Sequence, residues 1–320
     1  MEDMDKNVME LSVVVPIYNE SENLAVLHRR LTEAVSALTD RYELIFVNDG
    51  SRDDSFPRLC MLAAADPHTV YVNFSRNFGH QIAVTAGLDY ARGQAVVIID
   101  GDLQDPPELI PELYRKYQEG YEVVYAQRAK RKGESWFKKV TAKWFYRILR
   151  KITNIDMPVD TGDFRLIDRK VVDCLKRMPE KNKFLRGQIA WIGFRQTAVL
   201  FERQERLHGK TGYPFSKMLK FALDGITGFS DKPLAWVTKT GFCISALSFG
   251  IIVYALCAHF IFRQTVSGWT SIVVSSMFLG GIQLFSIGII GEYVNRINKN
   301  VLNRPLYIVE STNGTETAGF

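Results

Sequence analysis

Apolar and polar positions along this chain fall into short aliphatic runs that alternate with stretches of helical period. Leu11 to Ile17 is the first run, closing in Pro16-Ile17-Tyr18-Asn19-Glu20; apolar residues at helical spacing follow from Leu24 to Leu38. Tyr42 to Val47 predicts a second strand, which stops in Asn48-Asp49-Gly50-Ser51 before Asp53-Asp54 open another helix. Val70 to Phe74 predicts a third, ending in Ser75-Arg76-Asn77-Phe78-Gly79-His80. Val96 to Ile99 is the fourth and Glu122 to Ala126 the fifth. Four uninterrupted aliphatics, as in Val96 to Ile99, suit a strand buried on both faces. Strands alternating with helices predict an α/β fold with a mainly parallel sheet and crossover helices. Ligands of such sheets bind beyond the carboxyl ends of the strands, where the polar residues of this chain recur.

The fourth strand runs into Asp100-Gly101-Asp102-Leu103-Gln104-Asp105-Pro106-Pro107-Glu108. Proline fits the first turn of a helix, so a helix is expected from Pro106-Pro107 onward. Carboxylates with a nearby amide oxygen, here Gln104, are hard ligands suited to Mg2+ or Mn2+. Such an ion can bridge to a diphosphate and neutralise the charge that grows as it departs. No Gly-x-Gly-x-x-Gly follows the first strand, and no Walker Gly-Lys-Ser/Thr is present. Phosphate is therefore expected to be held by metal and arginine.

The distribution of charge changes the picture of the C-terminal third. No Asp, Glu, Lys or Arg lies between Lys239 and Arg263, or between Arg263 and Glu292. Each gap exceeds the roughly 20 apolar residues that span a bilayer, predicting two transmembrane helices joined by a turn around Arg263 to Gly268. Lys232 and Lys239 precede the pair, while Arg296, Lys299 and Arg304 follow it. The positive-inside rule then puts both termini and the N-terminal domain in the cytoplasm, making the protein integral to the cytoplasmic membrane. Met1 to Glu10 is acidic and polar, so a cleaved signal peptide is not expected. Lys130 to Lys151 interleaves basic residues with Trp136, Phe137, Trp144, Phe145 and Tyr146, the pattern of a helix lying at a membrane surface. Ser216 to Phe229 is a second interfacial candidate, and the tail from Glu310 to Phe320 is expected to be disordered. The net charge of +5 and the absence of base-reading motifs point away from nucleic acid. Cys60, Cys174, Cys243 and Cys257 are scattered and show neither metal spacing nor a disulfide framework. The expected partition is a nucleotide-binding domain over 1–215, a juxtamembrane amphipathic segment over 216–232, the helix pair over 233–294 and a cytoplasmic tail over 295–320.

Val13-Val14-Val15-Pro16-Ile17-Tyr18-Asn19-Glu20, Val47-Asn48-Asp49-Gly50-Ser51, the Asp100 to Glu108 stretch and Asp160-Thr161-Gly162-Asp163-Phe164-Arg165-Leu166 together resemble glycosyltransferase family 2. Within it the chain is similar to the polyisoprenyl-phosphate glycosyltransferases, relatives of dolichol-phosphate mannose synthase, and to their GtrB subgroup with two C-terminal spans. The resemblance covers roughly residues 10 to 305. It implies a GT-A-type domain that transfers a hexose, glucose from UDP-glucose, to a polyprenyl phosphate with inversion. It further implies that Pro16, Tyr18, Glu20, Asp49, Ser51, Asp100 and Arg128 line the nucleotide-sugar site. Asp102 and Gln104 would hold the Mg2+ or Mn2+, and Asp163 or Asp160 would act at the acceptor beside Asp102. A homotetramer is the implied assembly. Arg203, Arg206 and Lys210, near the second interfacial segment, are candidates for gripping the lipid phosphate, since arginine binds phosphate bidentately. A processive polysaccharide synthase is the alternative, but Gln188-Ile189-Ala190-Trp191 is not the Gln-x-x-Arg-Trp motif of such enzymes. A non-catalytic membrane subunit would call for a degenerate site, and these acidic motifs are intact.

Overall fold

The computed structural model describes residues 8–128, 161–201, 232–260 and 268–315. Strands β1 (Leu11–Ile17), β2 (Tyr42–Asn48), β3 (Thr69–Phe74) and β4 (Ala95–Ile98) form a parallel core, in the order β4-β1-β2-β3. Each is followed by a helical crossover: α1 (Leu24–Ser36), α2 (Ser55–Ala65), α3 (His80–Tyr90), and a 3-10 turn at Pro107–Leu109 leading into α4 (Ile110–Gln118). The proline start and four of the expected strands are borne out within a residue or two.

The other half of the sheet is mixed. β5 (Val123–Arg128) and β7 (Gln196–Phe201) are parallel to each other, while β6 (Thr161–Asp168) lies antiparallel between β4 and β5. With β8 (Val309–Thr312) at the far edge, the full order is β7-β5-β6-β4-β1-β2-β3-β8. Periodicity did not signal β6, because its apolar residues begin only at Phe164 after three polar or small positions.

Side chains alternate across the pleat and fill two layers. Val13, Val15, Leu44, Phe46, Val97 and Leu166 pack beneath Leu24, Leu27 and Leu31 of α1 and Leu113 of α4. Val14, Ile45, Val47, Val96, Ile98 and Ile167 face Ala83 and Val84 of α3, Val171 and Val172 of α5 (Arg169–Lys176), and Ile189 of α6 (Leu185–Ile192). A fully buried Leu or Val contributes about 1.5–3 kcal/mol, so these layers fix the register of every strand. α3 approaches β1 closely because Gly87 lies over Val14; a Cβ there would sit 2.2 Å from Val14 Cγ1.

At the amino edge, the carboxylate of Glu43 (2% exposed) accepts from Ser12 Oγ, the Arg92 N–H and the Arg92 guanidinium. Paired and fully hydrogen-bonded, this buried charge braces the edge opposite the polar strand exits.

The tail corrects one expectation. Val309–Thr312 forms β8, hydrogen-bonded antiparallel to β3, and Asn313 Oδ1 accepts from the Tyr71 N–H. Glu310 to Thr315 is therefore ordered. Polar composition hid the strand, since an edge strand needs backbone partners more than apolar side chains.

Two long helices precede β8: α7 (Lys232–Phe260) and α8 (Trp269–Val301). Both expose large apolar side chains, among them Phe242, Phe249, Tyr254, Phe278, Leu284 and Phe285. Among the described residues no helix is long and apolar enough to cross a membrane; several side chains of α7 and α8 fall outside that set.

Candidate active site

Strand direction brings the polar exits to one edge. β1, β2, β3 and β4 end there, β5 and β7 end there too, and the antiparallel β6 and β8 begin there.

The β1 and β2 exits are laced together. Asn19, with φ of 55°, donates its N–H to Ser51 Oγ at 3.0 Å, and its own Oδ1 accepts from the Arg52 N–H at 2.8 Å. The Glu20 N–H reaches Ser55 Oγ at 3.0 Å and the Ser21 N–H reaches Asp53 Oδ2 at 3.1 Å. Pro16 is buried in β1, Tyr18 is 44% exposed beyond it, and Glu20 Oε2 accepts from Asn23 Nδ2 at 2.6 Å. Gly50, at φ +63°, passes so close to the third exit that a Cβ would lie 2.4 Å from the Arg76 carbonyl carbon.

Asp49 follows β2 and is 3% exposed. Its carboxylate accepts from the Phe78 N–H at 2.7 Å, the Gly79 N–H at 3.0 Å and Asn77 Nδ2 at 2.9 Å. Burial still raises its pKa, although the two N–H groups oppose the shift. Asp49 thus shapes the 75–79 loop.

The densest charge cluster lies between α3, β4, β6 and α6. Asp163 Oδ2 accepts from His80 Nε2 at 3.0 Å and Gln81 Nε2 at 3.1 Å, while Oδ1 takes Arg186 Nε at 2.6 Å. Burial works against ionising Asp163, but the Arg186 guanidinium and the His80 contact overcome it and hold the carboxyl well below the usual range. His80 is disfavoured as a cation by burial, yet its hydrogen bond to Asp163 and the charges of Asp100 and Asp163 push it up to about 9. Arg165, 5% exposed, donates to the carbonyls of Gly162 and Asp163, and burial draws its pKa down to about 10.

Asp100 sits 3.6 Å from His80 Nε2. Its Oδ1 is buried and has no hydrogen-bond partner among the described residues. Burial raises its pKa; His80 opposes this, and the charges of Asp163 and Asp102 add to it. A carboxylate oxygen buried beside two other acids, with cations already committed to Asp163, fits a divalent cation. Ligand atoms of His80, Asp100 and Asp163 lie within 4.8 Å of one another. Asp102, 8% exposed, accepts from the Gln104 N–H at 3.1 Å, tightening the loop that the sequence assigned to metal.

The structure therefore brings Asp100, Asp102 and Asp163 to the same edge as Pro16, Tyr18, Glu20, Asp49 and Ser51. Arg128 ends β5 with its backbone in register with Phe201; its side chain is outside the described residues. Asp160, Arg203, Arg206 and Lys210, and both interfacial candidates, also lie outside them. Sequence reasoning assigned no role to His80, Gln81 or Arg186. His80 stood in a strand exit already singled out, so a cation at that position was a usable signal. Arg186 lies in the first turn of a short helix, and nothing local marks it.

Residues 12–176 match glycosyl transferase family 2. The chain belongs to this family. It is 51% identical to YkcC of Bacillus subtilis, described as an uncharacterized glycosyltransferase, over 96% of this chain and 95% of that one. It is 40% identical to the SfII prophage-derived bactoprenol glucosyl transferase of Shigella flexneri, over 95% of this chain and 98% of that protein. Among solved structures, glucosyl-3-phosphoglycerate synthase of Mycobacterium tuberculosis aligns with a TM-score of 0.51 at 20% identity, covering 68% of this chain and 76% of that one. That likeness establishes the GT-A fold for this glycosyltransferase.

Proposed function

We propose that this glycosyltransferase moves glucose from UDP-glucose to a polyprenyl phosphate, with inversion, at the cytoplasmic face of a membrane. The observation that carries the reading is an acidic group, buried Asp102 and Asp163 with partly exposed Asp100, at the strand edge where the Tyr18–Ser51 loops and Asp49 also converge. The bactoprenol glucosyl transferase of Shigella flexneri supports the sugar and the lipid. The M. tuberculosis structure, described with Mn2+ and uridine diphosphate, supports the donor.

Asp100 and Asp102, with Gln104, would hold the Mg2+ or Mn2+, which when bound compensates the charge of the diphosphate. Asp163 orients His80 and Arg186 beside Asp100. A phosphate monoester acceptor is largely ionised near neutral pH, so its attack on the anomeric carbon needs little base catalysis. Asp163, already neutralised by two cations, therefore positions rather than deprotonates. Direct displacement inverts the anomeric centre. Arg203, Arg206 and Lys210 remain our candidates for the acceptor phosphate.

Membrane residence is supported by the charge-free stretches 240–262 and 264–291 and by the exposed apolar side chains of α7 and α8. β5 and β7 end, and β6 and β8 begin, at the edge that bears the site. A lipid acceptor would meet the donor there. Added Cβ atoms at Gly280, Gly281, Gly288 and Gly291 meet nothing within 4 Å, which suits helix packing in the homotetramer we propose.

The deciding assay offers UDP-glucose, GDP-mannose and UDP-galactose, each labelled in the sugar, with undecaprenyl phosphate and Mg2+ or Mn2+. Lipid-extractable label is expected from UDP-glucose alone. Label from GDP-mannose would replace the donor, and transfer to a soluble sugar with none to the lipid would overturn the reading.

A further inference from the structure

β8 carries an irregularity that aims one side chain at the nucleotide loops. Asn73 of β3 is opposite Ser311 and Phe74 is opposite Val309, so Glu310 is the extra residue of a β-bulge. Bulges re-aim side chains that a regular strand would send elsewhere. Here Glu310 Oε2 accepts from Asn73 Nδ2 at 3.0 Å. Asn73 Oδ1 accepts from Asn48 Nδ2 at 2.7 Å, and Asn48 Oδ1 from the Ser51 N–H at 3.4 Å. Ser51 Oγ in turn accepts from the Asn19 N–H at 3.0 Å. Asn48 and Asn73 are only 2% and 4% exposed.

The polarity of this chain of bonds is set at one end. An asparagine amide has a donor end and an acceptor end, whereas an ionised carboxylate only accepts. Glu310 therefore obliges Asn73 to offer its NH2, which turns its oxygen toward Asn48 and leaves the Asn48 oxygen facing Ser51. Without Glu310 the two amides can turn over together. An Asn48 NH2 would then confront the Ser51 N–H, donor against donor in a buried place, and the Ser51–Asn19 contact would loosen.

We infer that Glu310 is a positioning residue for the nucleotide-sugar pocket, acting through Asn73 and Asn48 on the Ser51 and Asn19 loops. The strand beyond the α7–α8 pair is thus part of the donor site, and donor binding is coupled to the docking of the tail. This rests on the pocket assigned above, so the test uses the nucleoside diphosphate alone. Full-length protein in detergent is titrated calorimetrically with UDP and GDP, and donor kinetics and thermal unfolding are measured in parallel. Glu310→Ala should weaken UDP binding about fivefold and raise the donor KM similarly, with kcat within about twofold. Glu310→Gln, whose side-chain oxygen can still accept, should restore binding to within about twofold of the wild type. Wild-type affinity in Glu310→Ala overturns the inference. So does equal impairment of both variants with a fallen Tm, which marks a merely structural role. A wild type that binds GDP and not UDP overturns the donor reading alone, and GDP then serves as the probe for Glu310.

Discussion

At Asp163 a single carboxylate is held between a histidine, a glutamine amide and an arginine, and charge balance decides what it can do. With Arg186 at 2.6 Å and His80 at 3.0 Å, the carboxylate is stabilised far too well to accept a proton near neutral pH. Its folded pKa lies below its unfolded value near 3.8, so its stabilising contribution is complete above about 4. That contribution disappears only as pH falls through the folded pKa. Arg186→Gln removes the larger of the favourable charges and lifts that pKa. Loss of stability on acidification should then begin at higher pH than in the wild type, followed by circular dichroism between pH 2 and 6. An unchanged acid midpoint would dismiss Arg186 as the source of the shift. Asp100 is the opposite case, a buried oxygen without a hydrogen-bond partner among the described residues and with a raised pKa. Asp100→Asn and Asp102→Ala should each abolish nearly all transfer, several kcal/mol of transition-state stabilisation, while the protein stays folded in detergent. Full activity in either variant, or in excess chelator, would remove the metal from the proposal.

Among the elements, α3 links packing to chemistry. Its Gly87 lets it lie against Val14 of β1, and its first turn carries His80 and Gln81 to Asp163. Gly87→Ala puts a methyl group 2.2 Å from Val14 Cγ1 and must lift the helix. We expect a stability loss of about 1–3 kcal/mol in urea unfolding. The turnover loss should exceed what unfolding explains, because His80 and Gln81 move with the helix. Wild-type turnover in a destabilised Gly87→Ala would separate α3 packing from the site. The same elements show what a sequence discloses. The parallel strands β1 to β4 were legible because their aliphatic runs are buried on both faces and their exits are polar. β6 was not, since Thr161, Gly162 and Asp163 are chosen for the site rather than for a pleat. β8 was not, since it is held by backbone pairing, the Glu310 bulge and the Asn313 amide rather than by apolar area. Asp49, Asp100, Asp102 and Asp163 were found from motifs, whereas Arg186 joins them only through the fold.

For the whole molecule, β8 constrains how the helices can meet a bilayer. The strand is hydrogen-bonded to β3, Tyr307 stacks on Phe74 at 5.1 Å and donates to Asp89 of α3, so the chain after α8 is part of the catalytic domain. The chain before α7 comes from β7 of the same sheet. The stretch between β7 and β8 therefore begins and ends on one side of any membrane, and its number of crossings must be even. The two charge-free stretches, 240–262 and 264–291, make that number two in our proposal. With the native cysteines replaced by serine, Ser267→Cys should react with an impermeant maleimide in intact cells. Thr315→Cys should react only after permeabilisation. Reaction at both positions only after permeabilisation would mean that the helices lie on the membrane without crossing it. Reaction of Thr315→Cys in intact cells would put the sheet itself outside, and the cytoplasmic donor with it. The same geometry explains why the acceptor should be a lipid: β5 and β7 end, and β6 and β8 begin, at the edge where Asp100 and Asp163 stand. A polyprenyl phosphate is kept in the bilayer by about 0.8 kcal/mol per buried CH2, so the site must be brought to the membrane. Shortening the acceptor to a phosphate carrying a single isoprene unit should therefore raise its KM by orders of magnitude, with smaller change in kcat. Equal use of the short and long acceptors would show that the helix pair serves only as an anchor.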